Sequence, residues 1–385
     1  MSKSLKQYLI PLAIVGVAFG IYFLTNSTPL QWYKHYVYEA QAFLQGRTDL
    51  QGFPSYYQDL VTYHGKYYLP SPPMPAIVLI PAVAIWGTAT DEVRICMLMA
   101  AANVALVWIL LGRMNVQGWM RWLLTVLFGF GTVEWAVAIT GTTWFFAEIV
   151  AVFFLLLALI EYFGKKRGAL IGLLLGLSVL SRLPVVVGGV FFLAMLYKDG
   201  GLRRSLPFIV GLAIPIAFYG YFNYLRFGNP LQTGYSGHAY AAYFAADIQQ
   251  YGMFSLHYIP KQLYTMFLMS PEYIPYFPFI KPIPDGMSIL LTTPAVFYVL
   301  KAKYNESVNL WALLAMLGIM VPIVLWFSTG WVQFGYRYSL DFLPFLLILI
   351  AAGMGKTMNK TMIILVAISV AVNLWGALWV VRLGW

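Results

Sequence analysis

Pro72-Pro73-Met74-Pro75-Ala76-Ile77-Val78-Leu79-Ile80-Pro81-Ala82-Val83-Ala84-Ile85-Trp86-Gly87 is the stretch on which the reading of this chain turns. It is apolar enough to enter a bilayer, but it is short and carries four prolines, each of which removes a backbone donor and restricts its neighbour. Whether residues 72–88 cross decides the side of everything that follows. If they do not cross, five short loops share one side. These loops hold Arg113 and Arg121; Lys165, Lys166 and Arg167; Lys198, Arg203 and Arg204; Lys301 and Lys303; and Lys356 and Lys360. Cytoplasmic loops concentrate Lys and Arg, so that side is the cytoplasm. A crossing would send all of these residues outside. The charge pattern therefore predicts a re-entrant or juxtamembrane helix over 72–88 on the outer side.

Composition places the chain in a membrane. Hydrophobic residues make up 61% of its 385 positions and charged residues 10%, and the mean hydropathy is +0.74. A soluble domain carries about 25% charged residues, and no soluble fold of this size hides so much apolar surface. The net charge of +10 fits basic cytoplasmic loops against anionic lipid. No basic run interleaved with aromatics suggests nucleic acid. The single cysteine, Cys96, excludes an internal disulfide.

Apolar runs of spanning length lie near 8–25, 93–112, 122–139, 145–162, 205–223, 286–300, 307–327, 340–355 and 361–380. The stretch 168–197 holds two shorter helices, broken at Arg182-Leu183-Pro184. The expected fold is an all-α polytopic membrane protein of one domain, 1–385, with about eleven transmembrane helices. Its N-terminal run reads as an uncleaved first helix with the N-terminus inside. Two long outer loops, 26–92 and 224–285, and a short one, 328–339, carry the polar mass, including His35, His64, His238 and His257. Residues 31–44 show an apolar stripe at 33, 36, 37, 40, 43 and 44 and read as a helix lying on the outer surface.

The chain has fourteen acidic residues. All but Glu161, Asp199 and Glu306 fall on or near the outer side in this topology. Asp59, Asp49 and Glu39 lie in the first outer loop. Glu134 and Glu148 flank Thr140-Gly141-Thr142-Thr143-Trp144 near the outer ends of two helices, and are expected to face the bundle interior, where Arg182 is a possible partner. Carboxylates there suit a base that takes a proton from an acceptor hydroxyl. Arg337, Arg182, Lys66, Arg226 and Lys261 suit a phosphate group. Each also has a plainer reading: Asp49 and Asp59 as turn residues, Glu39 as a solvated helix face, Arg337 and Asp341 as a helical pair four residues apart. The histidines lack metal spacing, and no phosphate loop, dinucleotide fingerprint or GxSxG elbow is present.

Several stretches resemble one family. They are Glu39-Ala40-Gln41-Ala42-Phe43-Leu44-Gln45-Gly46-Arg47, Tyr63-His64-Gly65-Lys66-Tyr67-Tyr68, Pro72-Pro73-Met74-Pro75-Ala76, Leu180-Ser181-Arg182-Leu183-Pro184, Asn223-Tyr224-Leu225-Arg226-Phe227-Gly228-Asn229-Pro230 and Gln333-Phe334-Gly335-Tyr336-Arg337-Tyr338-Ser339-Leu340-Asp341-Phe342. Their order resembles the GT-C superfamily of membrane glycosyltransferases, nearest the prokaryotic protein O-mannosyltransferase and aminoarabinose transferase groups. The resemblance implies a polyprenyl-phosphate sugar donor; a lipid, polysaccharide or protein acceptor; and a site on the outer face of a prokaryotic cytoplasmic membrane. It implies Asp59 or Asp49 as base, Glu134 as a second carboxylate, and Arg337 and Arg182 against the donor phosphate, with Glu148, His64, Tyr67 and Asp341 nearby. No obligatory cofactor is expected, since a DxD or ExD pair is absent; a divalent metal is the alternative. Many family members carry an acidic pair directly after the first helix, where this chain reads Asn26-Ser27-Thr28-Pro29-Leu30-Gln31. A transporter or flippase of lipid-linked sugar, and a non-catalytic presenting relative, are the rival readings.

Overall fold

The computed structural model describes residues 3–235, 242–330, 332–355, 357 and 359–383; for 3–7, 242, 382 and 383 it describes the backbone alone. His238 and Lys356 lie outside the described residues. The chain is mostly helical, with two short antiparallel hairpins among the described residues. Among the described residues, seven helices are long and apolar enough to cross a membrane, and eight if one bent pair is a single span. It is a polytopic all-α membrane protein.

Helix α1 (Lys3–Thr25) is followed by α2 (His35–Leu44), a hairpin of β1 (Val61–Tyr63) and β2 (Lys66–Tyr68), and α3 (Met74–Trp86). The sequence stripe at 31–44 anticipates α2, although the helix begins only at His35. Helix α3 covers thirteen residues. At about 1.5 Å per residue it is about 20 Å long, well under the roughly 30 Å of a hydrocarbon core. Pro73 and Pro75 sit at its start, where missing donors cost nothing, and Met74 N donates to Leu180 O at 2.9 Å.

Next come α4 (Glu92–Arg113), α5 (Gly118–Phe130), α6 (Glu134–Thr140), α7 (Trp144–Tyr162), α8 (Gly168–Val179), α9 (Gly189–Gly200) and α10 (Leu202–Phe227). Asp91 caps α4 by accepting from Arg94 N at 2.9 Å. The run read as one span over 122–139 is bent by 45° between α5 and α6, where Gly131 and Thr132 interrupt the ladder and Thr132 Oγ1 turns back to Phe128 O at 2.7 Å. The break expected at Arg182-Leu183-Pro184 is present: α8 ends at Val179, and a 3-10 turn over Leu183–Gly188 leads into α9.

Helices α8 and α10 make the most extensive pairing in the molecule. Gly168, Gly172 and Gly176, spaced four apart, lie directly on the backbone of α10 and on Pro215. A methyl on Gly172 would overlap Phe208 O. Small residues in this register let helix backbones approach, and van der Waals packing is the main attraction between helices where the solvent is itself apolar.

The remaining helices are α11 (Ala242–Tyr251), α12 (Ile259–Phe267), α13 (Ile289–Thr292), α14 (Ser307–Val324), α15 (Leu343–Met354) and α16 (Lys360–Leu378). A second hairpin pairs β3 (Glu272–Tyr273) with β4 (Ile280–Lys281). Two expectations need correction. The run 286–300 is not one helix but α13 and a 3-10 turn over Pro294–Lys301, because Pro294 cannot continue the ladder of α13. The run 340–355 narrows to α15, whose start is set by a 3-10 turn over Arg337–Asp341.

The fold has two polar ends. At one, the short basic loops meet: Lys166 pairs with Asp199 at 2.6 Å, Arg167 with Glu161 at 2.8 Å, and Lys198 donates to Ser307. At the other, the long loops cover the starts of α4 and α7 and the turn before α15.

Candidate functional site

The second end is built on two ion pairs, one buried and one largely buried. The 3-10 turn before α15 presents Arg337 and Asp341, which do not pair with each other. Arg337 Nη1 donates to Glu148 Oε1 of α7 at 2.6 Å, and its Nε and Nη2 donate to Gly330 O at 3.2 and 2.9 Å. Asp341 instead accepts from Arg182, at 2.9 Å from Nε and 2.8 Å from Nη2. The expected helical pair at four-residue spacing is therefore wrong. A 3-10 turn of this length does not stack those positions, and each group finds a partner on another segment. Arg182 also pairs with Asp341 rather than with Glu134 or Glu148. The ring of Tyr338 is close to both guanidiniums, 4.9 Å from Arg182 Cζ and 4.8 Å from Arg337 Cζ.

Around this core runs a supporting frame. Gln333 Oε1 accepts from Arg337 N at 3.2 Å, and its Nε2 donates to Thr329 O and Asp285 O. Tyr336 OH donates to Gln262 Oε1 at 2.6 Å, and Gln262 Nε2 donates to Trp326 O and Ser328 O. The side chains carrying these contacts are largely withdrawn from solvent, as low-dielectric polar networks must be to hold one geometry.

A second frame ties the first long loop to the bundle. Thr143 has φ +33°, unusual for a β-branched residue. Its N–H donates to Glu92 Oε1 at 2.9 Å. Its Oγ1 accepts from His35 N at 3.2 Å and lies 3.0 Å from His35 Nδ1. His35 Nε2 lies 2.8 Å from Gln58 O. That carbonyl can only accept, so Nε2 carries a proton. Gln58 adjoins Asp59, which itself has φ +61° and lies within electrostatic reach of Tyr33 and Tyr235. Tyr235 in turn reaches Arg182 and Tyr338. Sequence reading listed His35 only among the histidines and missed Thr143 and Glu92 as its frame. Their partners lie 51 to 108 residues away in the chain.

The other candidates divide. Asp49 is clamped by Arg47 at 3.3 Å and Lys66 at 3.7 Å. Partial burial favours its protonated form, but the amide of Gln51, Lys66 and Arg47 outweigh it and hold the carboxyl below its usual range. Such a carboxylate is a weak base, and it secures the β1–β2 hairpin. His64 is exposed in that hairpin's turn, Tyr67 is half exposed against Phe53 at 5.3 Å, and Lys66 is largely exposed; none is among the described contacts of Arg182 or Arg337. Lys261 lies 5.7 Å from the Tyr243 ring. Glu134 is fully buried and accepts from Asn103 at 3.1 Å.

Glu39 departs from the solvated face read in the sequence. It is fully buried, and neither of its oxygens accepts a hydrogen bond. Burial pushes its carboxyl up to about 8, with Arg226 pulling the other way. Arg226 donates to Leu69 O at 2.5 Å and to Asn223 Oδ1 at 2.7 Å, which occupies two of its nitrogens. Among the described residues, no three His, Cys, Asp or Glu side chains gather at metal-ligand spacing. No family model matches the chain, and no curated protein or solved structure is significantly similar to it.

Proposed function

We propose that this protein is a glycosyltransferase that moves a sugar from a polyprenyl-phosphate carrier to an acceptor hydroxyl at the outer face of a prokaryotic cytoplasmic membrane. The observation that carries this reading is the pair of guanidiniums, buried Arg337 and largely buried Arg182, 4.8 and 4.9 Å from the Tyr338 ring at the end where the long loops gather. Ionisable side chains withdrawn into a membrane bundle are costly and most often mark ligand sites or transport paths. Asp59 lies on the same side of the molecule, linked to Arg182 through Tyr235.

Eleven crossings account for the topology when the short helices α8 and α15 and the broken segment at α13 each pass once and α3 does not. The twelve loop cations named above then face the cytoplasm. In the reaction, Asp59 accepts the proton of the acceptor hydroxyl. The acceptor oxygen bonds the anomeric carbon from the face opposite the phosphate, and the anomeric carbon–oxygen bond breaks with its electron pair going to phosphate. Arg337 and Arg182 stabilise the charge that develops there. Their carboxylate partners hold both forks in place before the donor arrives, so little reorganisation is needed.

The test is turnover in lipid with radiolabelled polyprenyl-phosphate sugars and a membrane extract as acceptor. The expected result is sugar transfer that falls by about 100-fold or more in Asp59→Asn, within the range for loss of a general base. Transfer by no donor, with the donors bound, would replace the enzyme reading with a transporting or presenting one.

A further inference from the structure

One buried pair lies outside the frames described so far. Phe43 of α2 and Phe222 of α10 meet edge to face with ring centroids 5.7 Å apart. One helical turn from each stand Glu39 and Arg226, both buried. They act on each other electrostatically, yet they form no ion pair within 4.0 Å. Both carboxylate oxygens of Glu39 and Nε of Arg226 are without hydrogen-bond partners. The hydroxyl of Tyr219 lies within electrostatic reach of both groups. Tyr36, one turn before Glu39, shares Ser71 with Tyr235, which leads on to Arg182 and Asp59.

Buried polar atoms are nearly always satisfied, and a buried charge without a partner costs several kcal/mol. Leu69 O and Asn223 Oδ1 hold the guanidinium of Arg226 in place. Glu39 keeps its proton at neutral pH, so it offers one O–H donor and one acceptor oxygen, and Arg226 Nε offers an N–H donor. A cation is repelled by Arg226. A neutral group that both donates and accepts suits this set, and a hydroxyl does this. Two neighbouring hydroxyls suit it better, because both oxygens of Glu39 are open. Phe222 and Phe227, with ring centroids 4.0 and 4.9 Å from Arg226 Cζ, add apolar surface.

We infer that Glu39 and Arg226 form a subsite that grips neighbouring hydroxyls of a sugar ring, across Tyr235 from the arginines that take the phosphate. This deepens the transferase reading and rests on it.

The experiment measures binding of two probes to the full chain in nanodiscs: a bare polyprenyl phosphate, and the same carrier bearing a neutral hexose. The comparison is between the parent, Glu39→Gln and Arg226→Lys. The parent should prefer the sugar-bearing carrier by about tenfold or more, the scale of one or two good hydrogen bonds. Both variants should lose that preference and keep their affinity for bare carrier. Carriers with single deoxy positions, tested on the parent alone, should show at least one hydroxyl whose removal also cancels the preference; this arm stands even if a variant does not fold. A preference kept intact by both variants and by every deoxy carrier overturns the subsite and leaves the transferase reading in place. Equal binding of the two probes by the parent also overturns the subsite. Binding of neither probe overturns both readings.

Discussion

Arg182 grips Asp341 along one edge of its guanidinium, with Nε 2.9 Å from Oδ1 and Nη2 2.8 Å from Oδ2, across 159 residues of chain. The pair joins the break after α8 to the 3-10 turn before α15, so it fixes the geometry of two segments that lie outside the α-helices. Asp341 has no exposed side-chain surface, while the Arg182 side chain keeps 20%.

That asymmetry sets the expected cost of breaking the pair. Asp341→Asn leaves Arg182 charged and mostly buried, and should destabilise the fold by about 3 kcal/mol, the lower end for a buried pair that loses one partner. Arg182→Gln with Asp341→Asn should recover part of the loss, because no lone charge remains. Arg182→Lys should also lower stability, since an ammonium cannot reproduce the two-point contact. Thermal melting in detergent measures all of these, and an unshifted Asp341→Asn would remove the pair from the structural account.

The membrane class was legible in composition, and a helix within 31–44, a proline-rich helix within 72–88 and the break at 182–184 were legible in local pattern. The pairings were not. Arg337 and Asp341 sit at the spacing of a helical ion pair, and only the 3-10 geometry and the arrival of Glu148 and Arg182 from other helices direct them elsewhere. Glu39 read as a solvated face because a stripe shows which side of a helix is apolar, not which helix will cover the other side. Here α2 packs against α3, and Arg226 of α10 acts on Glu39. The 45° bend between α5 and α6 escaped notice because apolar composition continues straight through it.

The glycines of α8 were equally available to sequence reading, at 168, 172 and 176, and they carry a stability prediction. Gly172→Ala forces a methyl into Phe208 O, which is backbone and cannot swing aside. The α8–α10 pair must then separate, at a cost of about 1–3 kcal/mol for overpacking. Gly16→Ala has open space around it and serves as the control, with little or no expected change. Equal melting temperatures for the two variants would mean that α8 and α10 are not in backbone contact.

Glu39 makes stability depend on pH. Its folded carboxyl is raised from 4.5 to about 8, first by burial and against the pull of Arg226. Between those values the native state holds a proton that the unfolded chain has released. Stability therefore declines as pH rises through this window and levels off above about 8. A shift of that size corresponds to roughly 4–5 kcal/mol at its upper limit. Glu39→Gln cannot ionise and should show a flatter profile, gaining on the parent from pH 5 to pH 9. Parallel melting curves for the two proteins across that range would show that Glu39 does not carry the raised carboxyl.

The two polar ends make the orientation testable with single cysteines. Lys66 and Lys303 are both exposed, one in the β1–β2 hairpin and the other among the short basic loops. The native Cys96 is fully buried and should give little background with a membrane-impermeant maleimide. The positive-inside pattern requires the two ends to lie on opposite sides, with the basic end in the cytoplasm. Lys66→Cys should label in intact cells, and Lys303→Cys only after the membrane is opened. Because α3 lies between the first hairpin and every later loop, the result also reports on that helix. If α3 crossed, the short basic loops would move outside while Lys66 stayed there, and both cysteines would label in intact cells. Labelling of Lys303→Cys alone would instead invert the molecule and move the arginine-rich site to the cytoplasmic face.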